Sequence, residues 1–298
     1  MPNAVDINRM IQKAVGIVRG KKAGNLTEPN YTAAIAVEFP QIWNASNTSS
    51  QHNIRLGGCF VHQSPMATFY SSHPQSSCEL GDLLIIVRKQ LGNDFRFNTS
   101  LVQLKTTDEN RLTIDKDNEL KQLFLYENWP CFNLKKLGFQ YNIFPKTCTK
   151  GGSYCLIKKN KKNVQFYMAE PNQTMSCDKN HTLGKHITNM IDWQAGRVVS
   201  DEKGKDSDEW SRLIWDLLRY CDNTIFNQKA GYKNGQGYCH KRATGVFQML
   251  NTHGEQIYLD QENNLDNNTN GKGLGILFID IRDKKIISED YTLSNNLV

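Results

Sequence analysis

The sequence has no apolar run that approaches the roughly 18–20 residues a membrane-spanning helix needs. Its longest apolar stretches, Leu83 to Val87 and Leu274 to Ile279, read as buried strands. No signal-peptide hydrophobic region forms at the N-terminus, because Asp6, Arg9, Lys13, Arg19, Lys21 and Lys22 interrupt every apolar stretch; a cytoplasmic protein is expected. No CxxC pair occurs among the 8 cysteines, which argues against a ribbon or finger zinc site, and in a cytoplasmic chain they are expected to be reduced. There is no phosphate-binding glycine loop. The glycines of 231–237 are too loosely spaced, and Gly271-Lys272-Gly273 lacks a following Ser or Thr. No internal repeat is visible. Charge of one sign is in small excess, a net +6. That suits a phosphate-rich partner and suits plain solubility equally well.

What remains is an ordinary globular composition: 298 residues, 39% hydrophobic and 22% charged, enough for one large domain or a core plus a smaller unit. Ile7, Met10, Ile11, Ala14, Val15 and Val18 recur at helical spacing, and Gly20 ends that helix. Thr27-Glu28-Pro29 opens a second helix, with Thr27 as cap and Pro29 in the first turn. Residues 44–54 and 71–77 read as loops around short strands at Cys59-Phe60-Val61 and at Ala67 to Tyr70. One strand is expected from Glu79 through Val87, a turn at Gly92-Asn93-Asp94, and an antiparallel return strand from Ser100 to Lys105. Helices follow near 117–126, 183–193 and 209–220. Strands are expected at 154–158, 164–169 and 274–281, with loop-like segments at 222–241 and 261–273.

The chemistry concentrates on the hairpin. Alternation places Gln103 and Lys105 on one face of their strand, with Leu104 on the other, and the turn can bring Asp82 to the same place. A carboxylate, an amide and an ammonium then converge. Mg2+ takes hard oxygen ligands and keeps several waters, so one or two carboxylates suffice. Asp82 would be the principal ligand, supported by the Gln103 side-chain carbonyl and the Leu104 backbone carbonyl. Lys105 would polarise the attacking water and stabilise charge on the phosphate. The alternative is structural: Asp82 caps a turn and Lys105 reaches solvent from a strand end.

At these residues the chain resembles the PD-(D/E)xK, or restriction-endonuclease-like, superfamily, in the Mrr-type variant that carries glutamine in the second half-motif. The resemblance runs from Glu28 to Lys105, and more loosely to Glu170. Gly81 stands where the family has proline before its aspartate. The resemblance implies an α/β fold: a three-layer α/β/α nuclease core with a mixed sheet over 1–190. A helical, loop-rich accessory region over 191–298 would follow, able to complete the same sheet. It implies an additional catalytic acid from the first helices, assigned to Glu28, with Glu38 and Glu79 as rivals. It implies Mg2+-dependent cleavage of DNA, with Mn2+ able to substitute, as the effector of an antiviral defence or restriction system. RNA as substrate and a non-catalytic nucleic-acid-binding or scaffold role are the alternatives. No specificity domain is recognisable, so a partner protein for target recognition is expected, and a homodimer would supply two centres for two strands.

Three weaker features accompany this. Cys59, His62, His73 and Cys78 could hold zinc, or be ordinary strand and loop positions; His62 could also reach the catalytic centre. Lys158, Lys159, Lys161 and Lys162 form a basic hairpin tip, with Lys146 and Lys150 upstream, suited to phosphates or simply to solvent. Tyr126, Trp129 and Phe132 could stack on bases or pack in the core.

Overall fold

A computed structural model describes residues 3–21, 24–46, 53–62, 65–70, 75–92, 94–134, 139–146, 151–160, 163–201, 206, 208–223 and 273–282. The loop-like segment expected at 222–241 lies outside these residues apart from its first two, which end a helix, and that at 261–273 lies outside apart from residue 273. The chain is a mixed α/β protein built on a seven-stranded sheet. Its main strands are β1 (Asn53–His62), β4 (Leu83–Leu91), β5 (Asp94–Thr107), β9 (Gly152–Lys159), β10 (Val164–Ala169) and β13 (Gly273–Arg282). They lie in the order β1-β13-β4-β5-β9-β10. β4 and β5 pair antiparallel, as the hairpin signal predicts, while β13–β4 and β5–β9 pair parallel. The short strand β12 (Arg197–Val199) pairs with the first half of β5.

Both faces of the sheet are covered. Leu83, Ile85, Val87, Val102, Leu104, Cys155, Ile157, Leu277 and Ile279 face α1 (Ala4–Lys21), α2 (Glu28–Ala33), α3 (Phe39–Ser46) and α5 (Leu183–Ile191). The alternate residues Leu84, Ile86, Leu101, Tyr154, Leu156, Ile276 and Phe278 face α4 (Asp117–Asn128), α6 (Glu209–Asn223) and a small antiparallel sheet. That sheet orders β3 (Gln75–Glu79), β2 (Met66–Tyr70), β7 (Phe132–Leu134) and β8 (Gln140–Tyr141). The remaining pair is β6 (Arg111–Thr113) with β11 (Thr174–Ser176). Burial on both faces explains why β4 and β13 read as continuous apolar runs rather than as alternating strands.

Between α2 and α3 the helix widens into a π turn over Ala34–Glu38. Pro40 has no N–H to donate to the Ala36 carbonyl four residues earlier, so the regular ladder cannot continue there. That carbonyl comes so close to Gly58 of β1 that any Cβ would collide with it.

Three expectations need correction. The single strand over Glu79 to Val87 is two: Glu79 ends β3 in the small sheet, residues 80–82 cross over, and β4 begins at Leu83. The loop over 44–54 is helical through Ser46 and extended from Asn53. Within the loop over 71–77, Gln75 onward is β3. In the last two, long-range strand pairing and helix packing decide conformation where Ser, Asn and Gln leave local preference weak; in the first, the two ends of one segment pair in different sheets.

Candidate active site at the mouth of the central hairpin

Asp82 stands one residue before β4 and extends both neighbouring ladders. Its N–H donates to the Val102 carbonyl at 3.0 Å, and its own carbonyl accepts from Gly275 N at 2.7 Å. The residue before it, Gly81, is closely packed by two side chains. A Cβ on Gly81 would lie 2.8 Å from the Tyr126 hydroxyl and 3.0 Å from Leu101, and that hydroxyl is fixed by donating to the Leu80 carbonyl at 2.8 Å.

β4 begins at Leu83, opposite Val102, whereas β5 runs on to Thr107. Beyond that point the edge of β5 that faces β4 has lost its strand partner. The backbone groups of even-numbered residues point to this edge, because a residue's N–H and C=O share a side in a strand. Two carboxylates take over. Asp82 Oδ2 accepts from Leu104 N at 2.8 Å, and Glu28 Oε1, from the first turn of α2, accepts from Thr106 N at 3.1 Å. The Leu104 carbonyl points to the same edge, between the two N–H groups. The sequence places Glu28 there through a helix start, where Asn30 accepts from Thr27 N at 2.9 Å.

Gln103 and Lys105 share the face toward α4. The Gln103 Nε2 donates to Asp82 Oδ2, while its Oε1 is buried without a partner. Lys105 is buried, and its Nζ lies 3.5 Å from Glu119 Oε1 on α4. Burial pushes the Asp82 carboxyl well above the usual carboxylate range, and the neighbouring Glu28 raises it further. The Leu104 N–H and Lys105 oppose that shift, and Glu79 adds to it.

This donor set fits a hard divalent cation. Two carboxylates bond successive N–H groups of one strand edge, the Gln103 amide reaches Asp82 from the adjoining face, and Mg2+ prefers oxygen ligands and few carboxylates. Turned over, the Gln103 amide would face its Oε1 to Asp82 Oδ2, an arrangement that needs either a cation between them or a proton on the Asp82 carboxyl. Among the described residues, no three His, Cys, Asp or Glu side chains gather at metal-holding spacing. A cation here would therefore take the mixed set of Asp82, Glu28, Gln103 and the Leu104 carbonyl.

The rival acids sit differently. Glu38 is buried and bonded to Lys21 of α1 at 2.8 Å, whereas Glu79 lies within electrostatic reach of Asp82. Lys158 and Lys159 end β9, and the pairing of Lys158 with Thr107 puts them at the same sheet end as Lys105. Lys158 Nζ donates to Asn110 Oδ1. Lys150, Lys161 and Lys162 lie outside the described residues, and Lys146 is exposed with its ammonium 5.3 Å from the Phe144 ring. Of the zinc set, Cys78 is a core residue whose thiol burial pushes up to about 12; His73 and the side chains of Cys59 and His62 lie outside the described residues. Tyr126, Trp129 and Phe132 are core residues, with Tyr126 stacked on Trp129 and Trp129 tilted against Phe132, not surface platforms. Glu119 and the Thr106 N–H carry no sequence signal: one is an ordinary helix glutamate, the other a backbone group. No protein-family model matches the chain, and no curated protein or solved structure matches it.

Proposed function

We propose that the chain is a Mg2+-dependent nuclease of the restriction-endonuclease-like, glutamine-variant kind, hydrolysing phosphodiester bonds of DNA. The observation that carries this reading is the pair of carboxylates, Asp82 and Glu28, flanking the Leu104 carbonyl on one unpaired strand edge, with Lys105 on the adjacent face. Bound Mg2+, or Mn2+ in its place, would neutralise charge on the scissile phosphate and acidify a water. Asp82, Glu28, Gln103 and the Leu104 carbonyl hold that cation. Lys105 donates to the phosphate oxygens as charge develops on them, from a buried position where an ammonium acts strongly. Lys158 and Lys159, at the same sheet end, contact the flanking backbone, and each phosphate contact adds salt dependence. A cytoplasmic role in antiviral defence or restriction, with a partner protein or a second copy supplying target recognition, belongs to the same proposal. No helix among the described residues is long and apolar enough to cross a membrane.

A second reading has its own observation. Each charge of the centre is answered within the fold: Asp82 and Glu28 cap backbone N–H groups, and Lys105 pairs with Glu119. A scaffold or nucleic-acid-binding protein would need no more. Single- and double-stranded DNA and RNA, incubated with Mg2+ and with EDTA, separate the two. The nuclease reading expects Mg2+-dependent cleavage of DNA, lost in Asp82→Ala with folding retained. Cleavage of RNA alone would reassign the substrate, and cleavage that persists in EDTA would remove the cation from the account.

A further inference from the structure

Among the described residues, Gln103 Oε1 is not the only buried polar atom without a partner at this site. The Tyr154 hydroxyl is the second, and the two residues are direct neighbours: Tyr154 on β9 pairs in register with Gln103 on β5. In-register residues of adjacent strands project from the same face about 4.8 Å apart. Both side chains are shut from solvent, Gln103 at 1% exposure and Tyr154 at 0%. Burial raises the Tyr154 phenol, so its hydroxyl keeps its proton; Cys78 and Asp82 lie within its electrostatic reach. Two orphaned polar atoms on side chains that leave adjacent strands in register, both shut from solvent, call for a shared partner such as an ordered water, which needs two to four polar partners.

We propose that Tyr154 is a positioning residue for Gln103, acting through one buried water between its hydroxyl and the Gln103 amide. The proposal rests on the cation reading of this site and extends it. With no cation bound, Gln103 presents Nε2 to Asp82, and its Oε1 accepts from the water, which in turn accepts from the Tyr154 hydroxyl. To ligate a cation beside Asp82 the amide must turn over, so that Oε1 faces the cation and Nε2 needs an acceptor. A phenol hydroxyl and a water can each donate or accept, so the same pair serves both orientations. A residue with donors alone, such as lysine, could not. Tyr154 thus lets Gln103 reverse without leaving a buried group unmatched in either state.

The test is Tyr154→Phe, which keeps the ring and removes only the hydroxyl. Two readouts are taken on the whole chain: the Gln103 side-chain amide signals by 15N NMR in EDTA, and Mn2+ affinity by electron paramagnetic resonance. The expected result is a shifted, faster-exchanging Gln103 amide together with Mn2+ affinity weakened roughly ten-fold, the low end for groups that orient a metal ligand. The thermal midpoint, measured alongside, shows that the fold is kept. A Gln103 amide unchanged by Tyr154→Phe overturns the proposal, whatever the metal does. If wild type binds no Mn2+, the cation reading fails separately, and the amide signals alone then judge the link between Tyr154 and Gln103. Tyr154→Leu, which also removes the ring, must give the same amide change; if it restores the wild-type signals, the hydroxyl is not the cause.

Discussion

Replacing Asp280 by alanine should cost the protein about 3–5 kcal/mol, because it strands a fully buried arginine. Arg88 on β4 has 0% exposure, and its Nε donates to Asp280 Oδ1 at 2.8 Å directly across the β4–β13 ladder. The guanidinium also lies 4.7 Å from the Phe95 ring centroid and 5.3 Å from that of Phe278, and its Nη2 has no partner. The variant also loses the second pair of Asp280, to Arg282 at 2.9 Å. A total near 4 kcal/mol is a large part of the roughly 5–15 kcal/mol that holds a domain together. Urea denaturation followed by tryptophan fluorescence reads this as a lower midpoint. The control is Arg88→Met with Asp280→Leu, which removes both charges and should be neutral or stabilising by about 1–4 kcal/mol. If Asp280→Ala costs less than about 1 kcal/mol, the value of an exposed pair, β13 does not lie beside β4 in this register and the sheet order is wrong.

Three further outcomes follow from the site. Asp82→Asn should stabilise the protein at neutral pH. Burial raises the folded-state carboxyl above its unfolded value, so the folded protein holds that proton more tightly, and stability falls as pH rises from the unfolded value through the raised one. The gain over wild type in urea melts should therefore shrink toward pH 4, where Asp82 is protonated; a gain that is the same at both pH values would contradict it. Gly81→Ala should cost about 1–3 kcal/mol, since the added methyl meets the Tyr126 hydroxyl and Leu101 at 2.8 and 3.0 Å; a wild-type melting midpoint would refute this close approach. Tyr126→Phe should cost roughly 1 kcal/mol by leaving the Leu80 carbonyl unmatched, and Tyr126→Phe should also relieve part of the Gly81→Ala penalty in the double variant.

Much of this was readable from residues alone. The helical face of Ile7 to Val18, the Thr27 cap and the β4–β5 hairpin follow from periodicity and turn chemistry, which act over a few residues. The grouping of Asp82, Gln103 and Lys105 follows from alternation plus one turn. The position of β13 between β1 and β4 does not, because its neighbours are set by contacts some two hundred residues apart, such as Arg88 with Asp280. Nor does the break between Glu79 and Leu83, where one apolar-looking segment serves two sheets. Glu28 reaches the centre by capping Thr106 N, a backbone group with no sequence signature, and Tyr154 by register with Gln103.

The proposed cation site of Asp82, Glu28, Gln103 and the Leu104 carbonyl, served by Lys105, stands or falls on phosphodiester cleavage. The most direct measurement is the cleavage rate of DNA by wild type and by Lys105→Ala, each with Mg2+ and with EDTA, at matched thermal midpoints. Wild type with Mg2+ should cleave, EDTA should stop it, and Lys105→Ala should fall by at least about a hundred-fold, the range for loss of one group that stabilises transition-state charge. Equal rates for wild type and Lys105→Ala, or no cleavage by wild type under any of these conditions, would contradict it.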